Sequence, residues 1–129
     1  MTITLKAHSV WQNVSQALEQ VDPYEIARSH LIACDFEIQG YWDEDDRPYE
    51  SIRFTTAPQP ELISRSLGMN SSAASRWLQL KYELTIADSG SKESIGELLL
   101  VLNEDLEVVD ENWVIDLRSP YVIAVAESL

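Results

Sequence analysis

The sequence predicts an α+β fold, with N-terminal helices packed on a curved antiparallel sheet of about five strands. Three observations carry this. Apolar residues recur at helical spacing through residues 9–34. They alternate strictly through residues 77–87, with Leu78, Leu80, Tyr82, Leu84 and Ile86 on one face and Gln79, Lys81, Glu83 and Thr85 on the other. Helical and extended patterns are also segregated along the chain, which favours an antiparallel sheet over βαβ units.

The elements follow in order. Val10, Val14, Ala17, Leu18 and Val21 give a helix over residues 9–21, with Ser9 and Gln12 at capping-box spacing and Trp11 expected in the core. Asp22 caps a second helix, Pro23 suits its first turn, and Ile26, Ala27, Leu31 and Cys34 face inward. Phe36, Ile38 and Trp42, then Ile52 and Phe54, alternate around an acidic turn at residues 43–48, as in a hairpin. Residues 58–69 read as a short helix, with Pro60 near its start and Gly68 near its end. The strand at 77–87, a turn at 88–94, a central strand at 95–102 and a returning strand through Trp113 to Ile115 form a meander. Ser119 and Pro120 are read as capping a final helix that carries Val122, Ile123, Ala126 and Leu129. Residues 121–125 also have good strand composition.

No linker-like tract or repeat divides the chain, so a single domain over residues 1–129 is expected. A chain this long buries roughly two-thirds of its unfolded surface. Glycine is scarce, at four residues, so loops must rely on Asp, Asn, Ser and Pro. The element order resembles that of cystatin-like or NTF2-like cones, which stand as the alternative fold.

Charge narrows the function. Nine Lys and Arg face 22 Asp and Glu, a formal net charge of −13. The basic residues are scattered, which argues against nucleic acid and against an anionic membrane surface as partners. No apolar stretch approaches the ~20 residues of a spanning helix, and the first residues lack a signal-peptide pattern. A cytoplasmic location is therefore expected, which the lone Cys34 suits. The sequons at Asn13 and Asn70 are then chance matches.

Catalytic signatures are absent. No Gly-x-Ser-x-Gly and no glycine-rich phosphate loop occurs. His30 and Cys34 stand four apart, which fits half a metal site or a thiol with its base. No second Cys/His pair completes it, and a partly buried Cys beside a satisfied His is the plainer reading. The sequence thus assigns no catalytic residue, metal ligand or cofactor, and leans to a non-enzyme.

Carboxylates are the conspicuous feature. One cluster is Asp43, Glu44, Asp45 and Asp46, and another runs from Glu104 and Asp105 through Glu107, Asp110 and Glu111 to Asp116. The first lacks the calcium-loop pattern. Trp42 precedes the first cluster and Trp113 follows Glu111 and Asn112. A ring beside acids combines burial with electrostatic steering. Solvated turns are the plain reading. The sharper one is an acidic protein-interaction domain, of inhibitor or immunity type, that neutralises a basic partner through Trp42, Asp43, Glu44, Asp45, Asp46, Asp105, Glu107, Asp110, Glu111 and Trp113. A homodimer through the exposed sheet face is compatible with this. The alternative is a pocket protein, ligand-binding or enzymatic, with Tyr82, Trp42 or His30 lining the concave side of the sheet.

Overall fold

Two helices and seven strands form, in the order α1 (Val10–Leu18), α2 (Pro23–Ala33), β1 (Glu37–Trp42), β2 (Pro48–Phe54), β3 (Gln59–Met69), β4 (Arg76–Asp88), β5 (Ser91–Leu102), β6 (Val108–Ile115) and β7 (Val122–Ala126). The computed structural model describes residues 4–72, 74–88 and 90–127. The class is α+β, as expected. The single curved sheet is not what forms. The strands make a three-stranded sheet, β1-β2-β7, and a four-stranded meander, β3-β4-β5-β6, antiparallel throughout.

Helix α2 starts as its sequence dictates. Asp22 adopts an extended backbone, and its carboxylate accepts from the N–H groups of Tyr24 and Glu25 at 3.1 and 3.2 Å. Ala27 and Leu31 are buried. Helix α1 is shorter than expected and buries no residue. Ser9 makes no side-chain cap because its backbone is already helical, whereas a capping side chain works from an extended backbone. Trp11 is 53% exposed, not in the core, and its indole N–H donates to the Leu5 carbonyl.

The alternation in β4 holds through Leu84, but Thr85, expected on the polar face, is buried as well, next to a register shift between Leu84 and Thr85. Leu78, Leu80, Tyr82, Leu84 and Ile86 are buried, opposite Leu98, Leu100 and Leu102 of β5. Ala27 of α2 and Ile38, Tyr41 and Ile52 of the small sheet join the same core cluster. Two buried hydroxyls pin the layers. Tyr82 donates to the Pro23 carbonyl at 2.6 Å, and the Ile115 N–H donates to Tyr41 Oη at 2.9 Å. Burial, reinforced by the Asp22 charge, pushes the Tyr82 phenol far above its usual pKa, so it stays a neutral donor. Tyr82 is therefore a core strut.

Two segments expected as helices are strands. Residues 58–69 contain β3, an edge strand, where Pro60 forfeits no ladder bond that the sheet requires. Gly68 is no helix terminator. It lies opposite Trp77, whose indole occupies the space of a Cβ, only 2.3 Å from where that atom would sit. The final segment is β7, paired to β2, so the β-branched composition prevails. Leu129, expected on that helix, lies outside the described residues. A further glycine is required where β5 meets β6. Gly96 has φ +151, and a Cβ there would stand 2.3 Å from the Val114 carbonyl oxygen.

Asx side chains close the hairpins, as the scarcity of glycine implied. Asp43, Asn70 and Asn103 each accept two backbone N–H bonds from their own loops.

Candidate functional site

The acidic hairpin between β1 and β2 leans over the end of the β5–β6 ladder and forms a cleft of about 730 Å³. Its walls carry Asp43, Glu44 and Asp45 from the hairpin, Glu97 from β5 and Asp116 just beyond β6. Arg47 and Arg118 are the cleft's guanidinium groups, and the rings of Tyr41 and Tyr49 line its floor. Those rings lie 6.4 Å apart, tilted by 42°.

Asp43 is the organiser. Its Oδ1 accepts from the N–H groups of Arg47 at 2.8 Å and Asp45 at 2.9 Å, and its Oδ2 accepts from the Tyr49 hydroxyl at 3.3 Å. The Arg47 backbone bond, aided by that of Asp45 and by Tyr49, holds the Asp43 carboxyl below the usual carboxylate range. Desolvation and then the Asp43 charge push the Tyr49 phenol upward. Asp43 is thus ionised and committed to the loop. Among the described residues, Glu44, Asp45 and Asp46 form no ion pair. Trp42, 63% exposed, stands directly before this loop.

The acidic field continues onto the outer face of the four-stranded sheet. Glu61, Glu83 and Glu97 face one another across β3, β4 and β5 in a single row. Like charges at that spacing repel. Lys81 offsets part of this at 3.4 Å from Glu97, and Lys92 pairs with Glu61. Beside the row lies a trough of about 410 Å³ that carries Ser64, Ser66, Gln79, Lys81 and Asn112.

The structure does not gather all ten residues singled out from the sequence. Trp42 and Asp43 to Asp46 sit together. Asp105 and Glu107 lie on the turn at the opposite end of β6, a strand of eight residues spanning roughly 25 Å. Asp110 and Glu111 lie along that strand on opposite faces. Glu111 pairs with His30 Nε2, and Trp113 stacks on the His30 ring at a centroid distance of 6.3 Å. Trp113 is half-buried against the core, so it is no exposed anchor. Glu97 and Asp116 complete the cleft and were not among the ten. Glu97 was visible as the one acid inside the apolar run of β5, but only strand pairing reveals that it faces the hairpin.

His30 and Cys34 do not converge. The Cys34 thiol donates to the Leu31 carbonyl at 3.4 Å, while His30 turns to Glu111. Among the described residues, no group of His, Cys, Asp and Glu is arranged to hold a metal ion. No helix there is long and apolar enough to cross a membrane. Compared with known proteins, the chain matches no family model, no curated protein and no solved structure.

Proposed function

We propose that this chain is a non-enzymatic acidic interaction domain that docks on a basic protein through the hairpin cleft. One observation supports the reading above the others. Five carboxylates face one cleft against two guanidinium groups, and the hairpin acids beyond Asp43 have no ion-pair partner among the described residues. Carboxylates held on a pre-formed rim attract cationic side chains at little ordering cost. Trp42 does not line the cleft, but it is exposed beside the acidic loop and offers apolar burial to a partner that extends past it. The biological form of this reading is an inhibitor or immunity-type protein in the cytoplasm that covers the cationic surface of its target.

The test is a pull-down from native lysate at low and high salt, read by mass spectrometry, with the native chain beside Glu44→Gln/Asp45→Asn/Asp116→Asn. A basic protein held by the native chain at low salt, and about tenfold less by the variant, is the expected result. Equal recovery by both chains defeats the proposal. A second reading, a pocket for a small polar ligand, draws on the converging Ser64, Ser66, Gln79, Lys81 and Asn112 of the trough. Its mark is a small molecule that co-purifies and is lost on Gln79→Ala/Asn112→Ala.

A further inference from the structure

Each sheet ends in strands with unpaired backbone groups, and three of the four edges are guarded. Strand β3 carries Pro60, Arg65 and a bulge between Leu62 and Ser64. Strand β6 carries Asp110 and Glu111, next to a register shift at Val101/Leu102. Strand β1 carries Glu37 and the kink at Gly40, φ +71. Such features keep edges from pairing with other chains. Strand β7 has none of them. Its sequence is Val-Ile-Ala-Val-Ala, without charge, glycine, proline or a bulge of its own.

The free side of β7 can be read from the ladder. The Thr55 N–H donates to the Tyr121 carbonyl, so Tyr121, Ile123 and Val125 direct their backbone groups toward β2. Val122, Ala124 and Ala126 then direct theirs to the open edge. The Val122 N–H is already used by the Ser119 carbonyl. The Val122 carbonyl and both groups of Ala124 and Ala126 find no backbone partner among the described residues. Ile123 is 49% exposed and Val125 36%.

We infer that the β7 edge pairs with β7 of a second copy of this chain, antiparallel about a two-fold axis at Ala124. Three features select a copy over a different partner. The register is self-complementary: Ala124 exchanges both bonds with its symmetry mate, and the Ala126 N–H of each copy reaches the Val122 carbonyl of the other, about four bonds in all. Across the new seam each Ile123 lies beside a Val125, a favourable β-branched pair, and only alanines meet on the axis. Charge is kept to the ends of the seam, where Glu127, which directly follows β7, falls opposite Tyr121 of the other copy, well away from the axis. Arg53, the neighbour of Ile123 on β2, is already paired with Glu37 at 3.5 Å. Elsewhere the −13 charge of each copy opposes approach. One short strand buries less than the roughly 1,200 Å² of a stable interface, so the dimer is weak and concentration-dependent.

Salt separates this inference from the docking of a basic partner. Screening weakens docking and strengthens the dimer, because it removes the repulsion between copies. The experiment is sedimentation velocity on the full chain across a concentration series at low and high salt. The expected result is a reversible shift from 14.6 kDa toward twice that mass, favoured by salt. Ala124→Pro removes an N–H that β2 does not use, so the small sheet is retained and the dimer dissociation constant rises at least about tenfold. Far-ultraviolet circular dichroism checks that this variant stays folded. If it does not, Val125→Lys, which places a charge on the exposed face of the seam, decides the matter by the same loss. A chain that stays monomeric throughout, or a dimer that the folded variants leave intact, overturns the inference.

Discussion

The hairpin loops at residues 43–47 and 103–107 share one backbone design and serve opposite ends. In each, the first N–H donates to the carbonyl of the fifth residue, at 3.1 and 3.0 Å. The fourth N–H returns to the first carbonyl at 3.0 Å in both. The side chain of the first residue accepts from the third and fifth N–H groups, at 2.8–2.9 Å. The fourth residue is left-handed in both, φ 58 at Asp46 and 61 at Leu106. What differs is the chemistry hung on this frame. Asp43 closes its loop with a charge, Asn103 with a neutral amide. Asp46 points no apolar group anywhere, whereas Leu106 covers the hollow formed with Leu18, Val21 and Trp77. Glu104 is paired with Arg76 at 2.5 Å, while the acids of the first loop beyond Asp43 have no ion pair among the described residues. One loop is packed and partly neutralised. The other presents open charge. Acidity in a sequence therefore says little about recognition until each acid's neighbours are known.

The comparison can be broken most strongly at the first residue of each loop. Asn103→Ala removes two hydrogen bonds from backbone N–H groups and a long one from its amide to Glu107, and lowers stability by about 1 kcal/mol in urea melts. Asp43→Ala lowers the melting temperature further, because the bonds lost are accepted by an ionised carboxylate and not by a neutral amide. A smaller effect is expected at the left-handed positions. Asp46→Leu costs less than about 1 kcal/mol, since leucine is more strained there than aspartate and no apolar hollow rewards it.

Smaller again is the acid response. The Asp43 pKa is lowered in the folded state, so the stability it contributes is complete above the ordinary aspartate value of about 3.9. It is lost as pH falls below that value and through the lowered one. Asp43→Asn keeps the turn, as Asn103 does, and flattens this part of the acid limb in a pH series of thermal melts. The smallest change is Leu106→Gly. It relieves strain of about 1–2 kcal/mol and forfeits a half-exposed leucine of similar worth, so the melting temperature hardly moves. A large loss there would show that the loop depends on packing more than on its hydrogen-bond frame.

Legibility followed locality. The Asp22 cap and Pro23 start of α2 were readable because every partner lies within three residues. So was β4 as far as Leu84, where its alternation records one wetter and one dry face, though not the burial of Thr85. The helix expected at 58–69 failed because Pro60 and Gly68 punctuate a helix and an edge strand equally well. The deciding contact, the Trp77 indole over Gly68, comes from another strand. The terminal segment failed likewise, since β7 exists because β2 has an open side to pair. At the site, the hairpin acids and Trp42 were legible as a cluster. The separation of Asp105 and Glu107 from them, and the arrival of Glu97 and Asp116, depended on how β5 and β6 are placed.

The sequence by itself determined the α+β class, the polar hairpin tips, most of the alternating core strand and a net charge of −13. Each of these rests on composition or on contacts between near neighbours in the chain. Only the tertiary structure decided that the strands divide into two sheets, which carboxylates share a cleft, which are neutralised by a neighbour, and which strand edge is left open. Those outcomes depend on pairings between residues tens of positions apart, and a one-dimensional pattern does not record which distant segment will supply the missing partner.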